Sequence, residues 1–359
     1  MKQTSVLYNH DELLREVSKS FEQGLKRHKV KDTKRGEFAN LVCLLSGLAI
    51  FTFKHASLLQ FDHAVKENKS FFGNLKRLFA IEDVPSDTYL RERLDVIDPK
   101  AIRLGFNRLF QLLQRSKTLE QFQFLWGYYL VSLDGTGVFS SPTVHCENCC
   151  QKHHRSGETT YYHQILAGAL VHPDQKVVFP FVPEPIVQKD GSKKNDCERN
   201  AAKRWVKDFR TEHPHLKAII VADGLSSNGP FIQTLREKNL SYILVAKETD
   251  HNYLTKWVQD LRVEDKMAYR TEKDRIIREY EYSENIPLND THHEMRVNVV
   301  RFKETVKGKT TSWMWVTDLT LKKHQLEEFV KGARARWKIE SVLQMHKRWR
   351  SRNDLKLCA

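Results

Sequence analysis

The sequence predicts a mixed α/β domain behind an all-α N-terminal region, and three observations carry that expectation. Apolar residues recur at helical spacing through residues 1–125. From about residue 126 the texture changes to short apolar runs bounded by turn residues, with helical stretches between them. One device then occurs twice: an apolar, strand-like run closing on Asp-Gly, at 130–137 (LVSLDGTG) and at 218–224 (AIIVADG).

In 11–29 the apolar positions Leu13, Leu14, Val17, Phe21 and Leu25 keep close to the helical period. Residues 15–37 hold eight Lys/Arg against four acids, which suits either a DNA-facing surface or an ordinary solvated helix face. The apolar stretch 38–53 contains Asn40, Ser46 and Thr52 and is followed by Lys54 and His55; it is short for a membrane span and reads as a buried helix. Ser86 or Asp87 caps a helix that continues through Tyr89 and Leu90, and Asp98-Pro99 starts another. Strands are expected at 125–133, 161–171 and 176–182, a helix at 195–211, a strand at 217–222, a helix at 229–238 and a strand at 241–246. Residues 248–310 interrupt this order with short alternating runs, which predicts a β-rich insertion, and 312–316 (SWMWV) is a further strand. Thr320 then caps a long basic helix from Leu321 to about Arg350. The expected domains are a helical, DNA-binding region at 1–125, the first part of an α/β core at 126–247, the insertion at 248–311, and a last core strand with the basic helix at 312–359.

The 359 residues carry a net charge of +14 and a pI near 9.4, with 40% apolar and 29% charged residues. That balance fits a globular protein with a polyanionic partner, most simply nucleic acid; a merely basic protein is the alternative. The six cysteines show no disulfide-scaffold spacing, and residues 1–15 lack the apolar core of a signal peptide. No membrane association is expected, and the compartment implied is the cytoplasm, or the nucleoid if DNA is the partner.

The two Asp-Gly devices place Asp134 and Asp223 where strands of one sheet surface. Neighbouring strands would bring both within reach of a metal, and paired hard carboxylates suit Mg²⁺ or Mn²⁺. Taken singly, either Asp could be a turn former before Gly. A paired-ion site needs a third acid, and Glu340 is the acid within the basic segment 331–352. Arg336, Glu340 and Lys347 would share one helix face. An Arg336–Glu340 salt bridge is the simpler use of the same spacing.

Asp134-Gly135-Thr136, the run from Asp223 to Asn228, and the run from Arg334 to Glu340 together resemble bacterial insertion-sequence DDE transposases. The resemblance covers roughly residues 36–340, including 85–99, 146–173 and 195–203. It implies a ribonuclease-H-like catalytic domain with a β-strand insertion before the final Glu, and DNA cleavage and strand transfer with two divalent metal ions. Asp134, Asp223 and Glu340 match the family's metal-binding carboxylates, with 88 residues between the Asps and 116 between Asp223 and Glu340. The family's signature around the last acid is Tyr-x2-Arg-x3-Glu-x6-Lys. Arg336, Glu340 and Lys347 fit it, whereas Ala333 stands at the Tyr position. Arg336, Lys347, Lys338 and Arg334 are the expected DNA contacts, and a homodimer on DNA is implied by analogy. Residues 341–359 depart from the family's continuation and read as a truncated or frameshifted end. The readings carried forward are a DNA transposase, a catalytically inactive DNA-binding remnant of one, and a nuclease of the same fold.

A second cluster lies in 145–154 (HCENCCQKHH). Cys146, Cys149, Cys150 and His153 offer thiolate and imidazole ligands for a structural Zn²⁺. The usual second ligand pair at a distance is missing, so a loop with reduced thiols is the competing reading. At 196–199, Asp196, Glu198 and Arg199 head a helix, where acids suit the helix dipole or serve near the metals.

Overall fold

A computed structural model of the chain describes residues 8–32, 38–188, 196–341 and 343. The chain divides into two compact units, one reaching to Glu120 and the other spanning Gln121–Leu343.

The first unit is helical. Its elements are α1 (His10–Arg27), α2 (Asn40–Thr52), α3 (Leu58–Glu67), α4 (Lys69–Phe79), α5 (Asp87–Asp95) and α6 (Arg103–Arg115). Asn9 and Glu12 form a reciprocal capping box at the start of α1. Ser86 is the cap of α5, accepting from the Tyr89 amide. Asp98 caps a short 3₁₀ turn that leads into α6. The apolar stripe of α1 (Val17, Phe21, Leu25) joins Cys43, Leu45 and Ile50 of α2 in one core, which accounts for the apolar run at 38–53 without a membrane. Among the described residues, no helix is long and apolar enough to cross one.

The second unit is built on a 12-stranded sheet; nine of its strands follow the order β3-β4-β2-β7-β8-β12-β11-β10-β9, and β1, β5 and β6 pair beside β2 and β4. The strands at its centre are β2 (Tyr128–Ser141), β4 (Thr159–Val171), β7 (Ala218–Ala222) and β8 (Ser241–Val245). Strand β4 runs antiparallel to β2, while β7 is parallel to β2 and β8 is parallel to β7. This is the mixed, ribonuclease-H-like arrangement expected. Every residue of β7 is buried, as its unbroken AIIVA run requires of a parallel strand covered on both faces. Helices α7 (Glu198–Glu212) and α8 (Gly229–Glu237) complete the crossovers. The insertion contains α9 (Asn252–Asp260) and the antiparallel strands β9 (Met267–Lys273), β10 (Ile276–Pro287) and β11 (Arg296–Val306). Strand β12 (Lys309–Thr317) pairs with both β11 and β8, so the insertion widens the central sheet instead of forming a separate layer.

Several expectations are corrected. The strand expected at 176–182 is only two short pieces, β5 (Phe179–Pro180) and β6 (Glu184–Ile186), both paired with β4. Pro180, Pro183 and Pro185 deny that segment ladder donors. Two short strands went unforeseen: β1 (Gln123–Phe124), beside β2, and β3 (Cys150–His153), beside β4. The long basic helix starts later, with a 3₁₀ turn at Lys323–Gln325 capped by Lys322, not Thr320. Helix α10 (Leu326–Arg334) then tightens into a second 3₁₀ turn, Ala335–Lys338.

Candidate active site

Strand β2 is longer than the sequence suggested, and Asp134 lies inside it. Gly135 and Gly137 continue the ladder, facing Leu166 and Gln164 of β4. Asp223 does stand where expected, directly after β7. Strands β2 and β7 are parallel and in register, with Ser132 opposite Val221. Two residues beyond that pair come Asp134, still within β2, and Asp223, in extended backbone just past β7, so the period-two alternation puts both on the same side. Asp223 Oδ1 accepts from the Leu225 amide at 3.1 Å, which holds its carboxylate at the strand end.

The third acid arrives by a separate contact. Ser132 Oγ donates to the Arg336 carbonyl at 3.0 Å, docking the 3₁₀ turn Ala335–Lys338 on the face of β2 that carries Asp134. Ile339 is fully buried behind that turn, and half-buried Glu340 follows it. Burial raises the Asp134 pKa; Arg336 opposes that rise, and the charges of Asp223 and Glu340 add to it. Asp134 therefore feels both of its expected partners and the expected arginine. No ion pair joins Arg336 to Glu340 among the described residues, so the simple salt-bridge use of that spacing is not adopted. Arg336 Nε is buried without a hydrogen-bond partner, and the guanidinium lies over the Trp337 ring, 5.1 Å from its centroid.

A fourth acid comes from the opposite face. Glu198 opens α7, and its carboxylate occupies the space above Gly135, on the other side of β2 from Ser132. Burial raises its pKa first, then the charges of Asp223 and Asp134. Asp134, Gly135, Glu198, Arg199 and Asp223 line one cleft. The start of α7 is anchored by Arg204, which bridges Glu184 at 2.6 Å and Asp196 at 2.7 Å. The sequence held a signal for Glu198, an acid heading a helix of the core, but nothing in it marked the open space above Gly135.

The expected DNA contacts separate into different settings. Lys338 Nζ donates to the carbonyls of His172 (2.8 Å), Pro173 (2.5 Å) and Gln175 (2.7 Å), so its three protons are all in use on one turn. Arg334 lies over the Trp313 ring and 3.6 Å from Glu304, facing the insertion strands. Lys347 lies outside the described residues. Of the tryptophans, Trp315 is core, Trp313 stacks on Phe302, and Trp337 is exposed.

The cysteine cluster is also rearranged. Cys146 and Cys149 approach each other, with 3.8 Å between sulfurs, but Cys150 donates to the Ile186 carbonyl and His153 Nδ1 pairs with Thr159 Oγ1. Cys150 and His153 are therefore not part of the cluster, because β3 points them elsewhere. His163 of β4 takes the third place, its Nε2 being 3.3 Å from each sulfur. The sequence did not single out His163; treating 139–163 as a hairpin would have returned it to the Cys-x-x-Cys turn.

The family described as "Transposase DDE domain" matches residues 127–357, and the chain belongs to it. The chain is thus a DNA transposase domain of the DDE type, a class of phosphodiester-cleaving and strand-transferring enzymes that generally use divalent metal ions. The match includes residues 341–357, which were expected to depart from the family. No curated protein matches the chain. Among solved structures, a piggyBac transposase in a synaptic complex with hairpin DNA is similar at 12% identity and a TM-score of 0.40, over 96% of this chain and 69% of that one.

Proposed function

We propose that Asp134, Asp223 and Glu340 are the three carboxylates of the DDE site, that they hold two Mg²⁺ or Mn²⁺ ions, and that the chain cuts and rejoins DNA at the ends of an insertion sequence. The observation that carries this is the parallel register of β2 and β7, which sets the two Asp side by side, with Glu340's charge felt at Asp134. Paired-ion sites of this chemistry hold their ions about 3.5–4 Å apart. The donor set is all carboxylate, the choice of hard cations. Such ions, when bound, make a water or a DNA 3′-hydroxyl acidic enough to attack and offset charge on the departing oxygen.

The chain's own residues supply position and charge. Arg336, with a buried unpaired Nε beside Asp134, is the group to hold a DNA phosphate at the site. The net charge of +14 supports salt-sensitive binding to the rest of the duplex. A homodimer holding two element ends, at the nucleoid of a bacterial cytoplasm, follows from the family resemblance.

The test is cleavage of a duplex carrying the element's terminal repeat in the presence of Mn²⁺. The wild type should nick at the element tip, and Asp134→Ala, Asp223→Ala and Glu340→Ala should each lose nicking while still binding the duplex. Nicking that persists at wild-type rate in any of the three variants removes that residue from the site; binding without nicking by the wild type rejects the reading altogether.

A further inference from the structure

The Cys146–Cys149–His163 cluster lies apart from the carboxylates and has no part in the chemistry above. We propose that it is a structural zinc site, with the thiolates of Cys146 and Cys149 and the imidazole of His163 among its ligands.

The geometry is that of a metal site. The three ligand atoms form a triangle with edges of 3.8, 3.3 and 3.3 Å. A point near its centre is about 2 Å from each corner, so an ion slightly above the plane meets the usual ~2.3 Å Zn–S and ~2.1 Å Zn–N distances. Among the described residues this is the group of His, Cys, Asp and Glu whose ligand atoms all lie within 4.8 Å of one another. The turn is shaped for it: the Cys149 amide donates to the Cys146 carbonyl at 3.1 Å, and the Cys146 amide points at Cys149 Sγ at 3.4 Å. Both sulfurs consequently face the same imidazole, and at 3.8 Å apart they are not a disulfide. Soft sulfur with imidazole selects zinc over the hard cations that suit the acidic site, so one chain can keep two kinds of metal apart.

Placement gives the ion a purpose. His163 pairs with Phe139 across the β2–β4 ladder, just past the bulge at Gly137/Phe139. Asp134 lies further down the same ladder, opposite Ala167. Zinc at Cys146, Cys149 and His163 would tie the loop after β2 back onto β4, closing the outer end of the hairpin whose inner part carries Asp134. Binding releases the two thiol protons, so it strengthens as pH rises.

The test is metal content of the full-length protein, purified without chelator from zinc-containing medium. One zinc per chain is expected in the wild type and none in Cys149→Ser or His163→Ala. Full content is expected in Cys150→Ser, His153→Ala and Asp134→Asn, which separates this site from the neighbouring thiol and imidazole and from the carboxylates. Should the ligand variants fold poorly, the Co²⁺-substituted wild type serves instead: thiolate-to-cobalt charge-transfer and tetrahedral d–d bands are expected. A wild type free of zinc, zinc retained by His163→Ala in folded protein, an octahedral cobalt spectrum, or a Cys146–Cys149 disulfide in protein isolated under reducing conditions would each overturn the proposal.

Discussion

The carboxylate of Glu198 fills the place that a side chain at residue 135 would take: Oε1 lies 1.2 Å from where a Gly135 β-carbon would stand. The second residue of the Asp134-Gly135 pair thus has a use beyond turn formation. Strand β2 does not turn there, and the missing side chain lets an acid from the opposite face reach the strand beside Asp134.

Gly135→Ala should therefore act through Glu198. The clashing atoms are the far end of a flexible side chain, so the fold should survive while Glu198 is displaced. If Glu198 assists strand cleavage, Gly135→Ala and Glu198→Ala should each slow it, and the double variant should be no slower than the worse single one. Cleavage rates for the four proteins complete the cycle; strictly additive losses would show that the two residues act independently.

Arg336 and Lys338 are two residues apart and should behave differently. On the role proposed for Arg336, Arg336→Ala removes a phosphate contact, so the slope of log K against log salt should become shallower by about 0.9 for duplex binding. Lys338 is already bonded to three carbonyls of the 172–175 turn. Lys338→Ala should leave the salt slope unchanged and lower stability by about 1–3 kcal/mol, from carbonyls left unpaired. Titrations at several salt concentrations and urea unfolding of both variants decide; a shallower slope in Lys338→Ala would return that residue to the DNA surface.

What the sequence disclosed followed from period and composition. The buried AIIVA run of β7, the stripe of α1 and the Ser86 cap all depend on residues near one another in the chain. Asp223 was legible for the same reason, since its strand ends where the apolar run ends. Asp134 was expected at the end of its strand and lies inside it, because Asp-Gly-Thr-Gly has the composition of a turn and becomes ladder only through pairing with 164–167. Glu198 and His163 owe their positions to contacts from other elements: a helix over Gly135 in one case, hairpin register in the other. The fates of Arg334 and Lys338 were hidden likewise, since a basic segment does not reveal which cations face the carbonyls or acids of its own chain.

Gly168 sets the distance between α7 and the sheet. A β-carbon there would stand 2.3 Å from the Trp205 ring. That indole is buried and donates to the Val182 carbonyl at 2.8 Å, so it has little room to yield. Gly168→Ala should cost about 1–3 kcal/mol of stability by overpacking. It should also slow cleavage, because Glu198 rides on the same helix. Urea unfolding checks the first part; a variant as stable as wild type would mean that α7 slides freely on β4.

His213 gives the protein an acid-sensitive element remote from the carboxylates. Burial pushes its pKa down from 6.5 to about 4, and the Arg210 charge adds to the shift. Arg210 cannot readily swing away, since it donates to the carbonyls of His213, Pro214, Leu216, Lys238 and Asn239. The sign follows from linkage. Between pH 6.5 and about 4 the unfolded chain binds a proton at this histidine and the folded chain does not, so stability falls as pH falls through that window. At pH 5 the loss is about 2 kcal/mol relative to neutral pH. His213→Phe keeps an aromatic ring against Phe181 and Phe209 and removes the titration. Urea unfolding at pH 7 and pH 5 should show the wild type losing about 2 kcal/mol more than the variant; equal losses would mean that this imidazole is protonated in the folded protein as readily as in the unfolded chain.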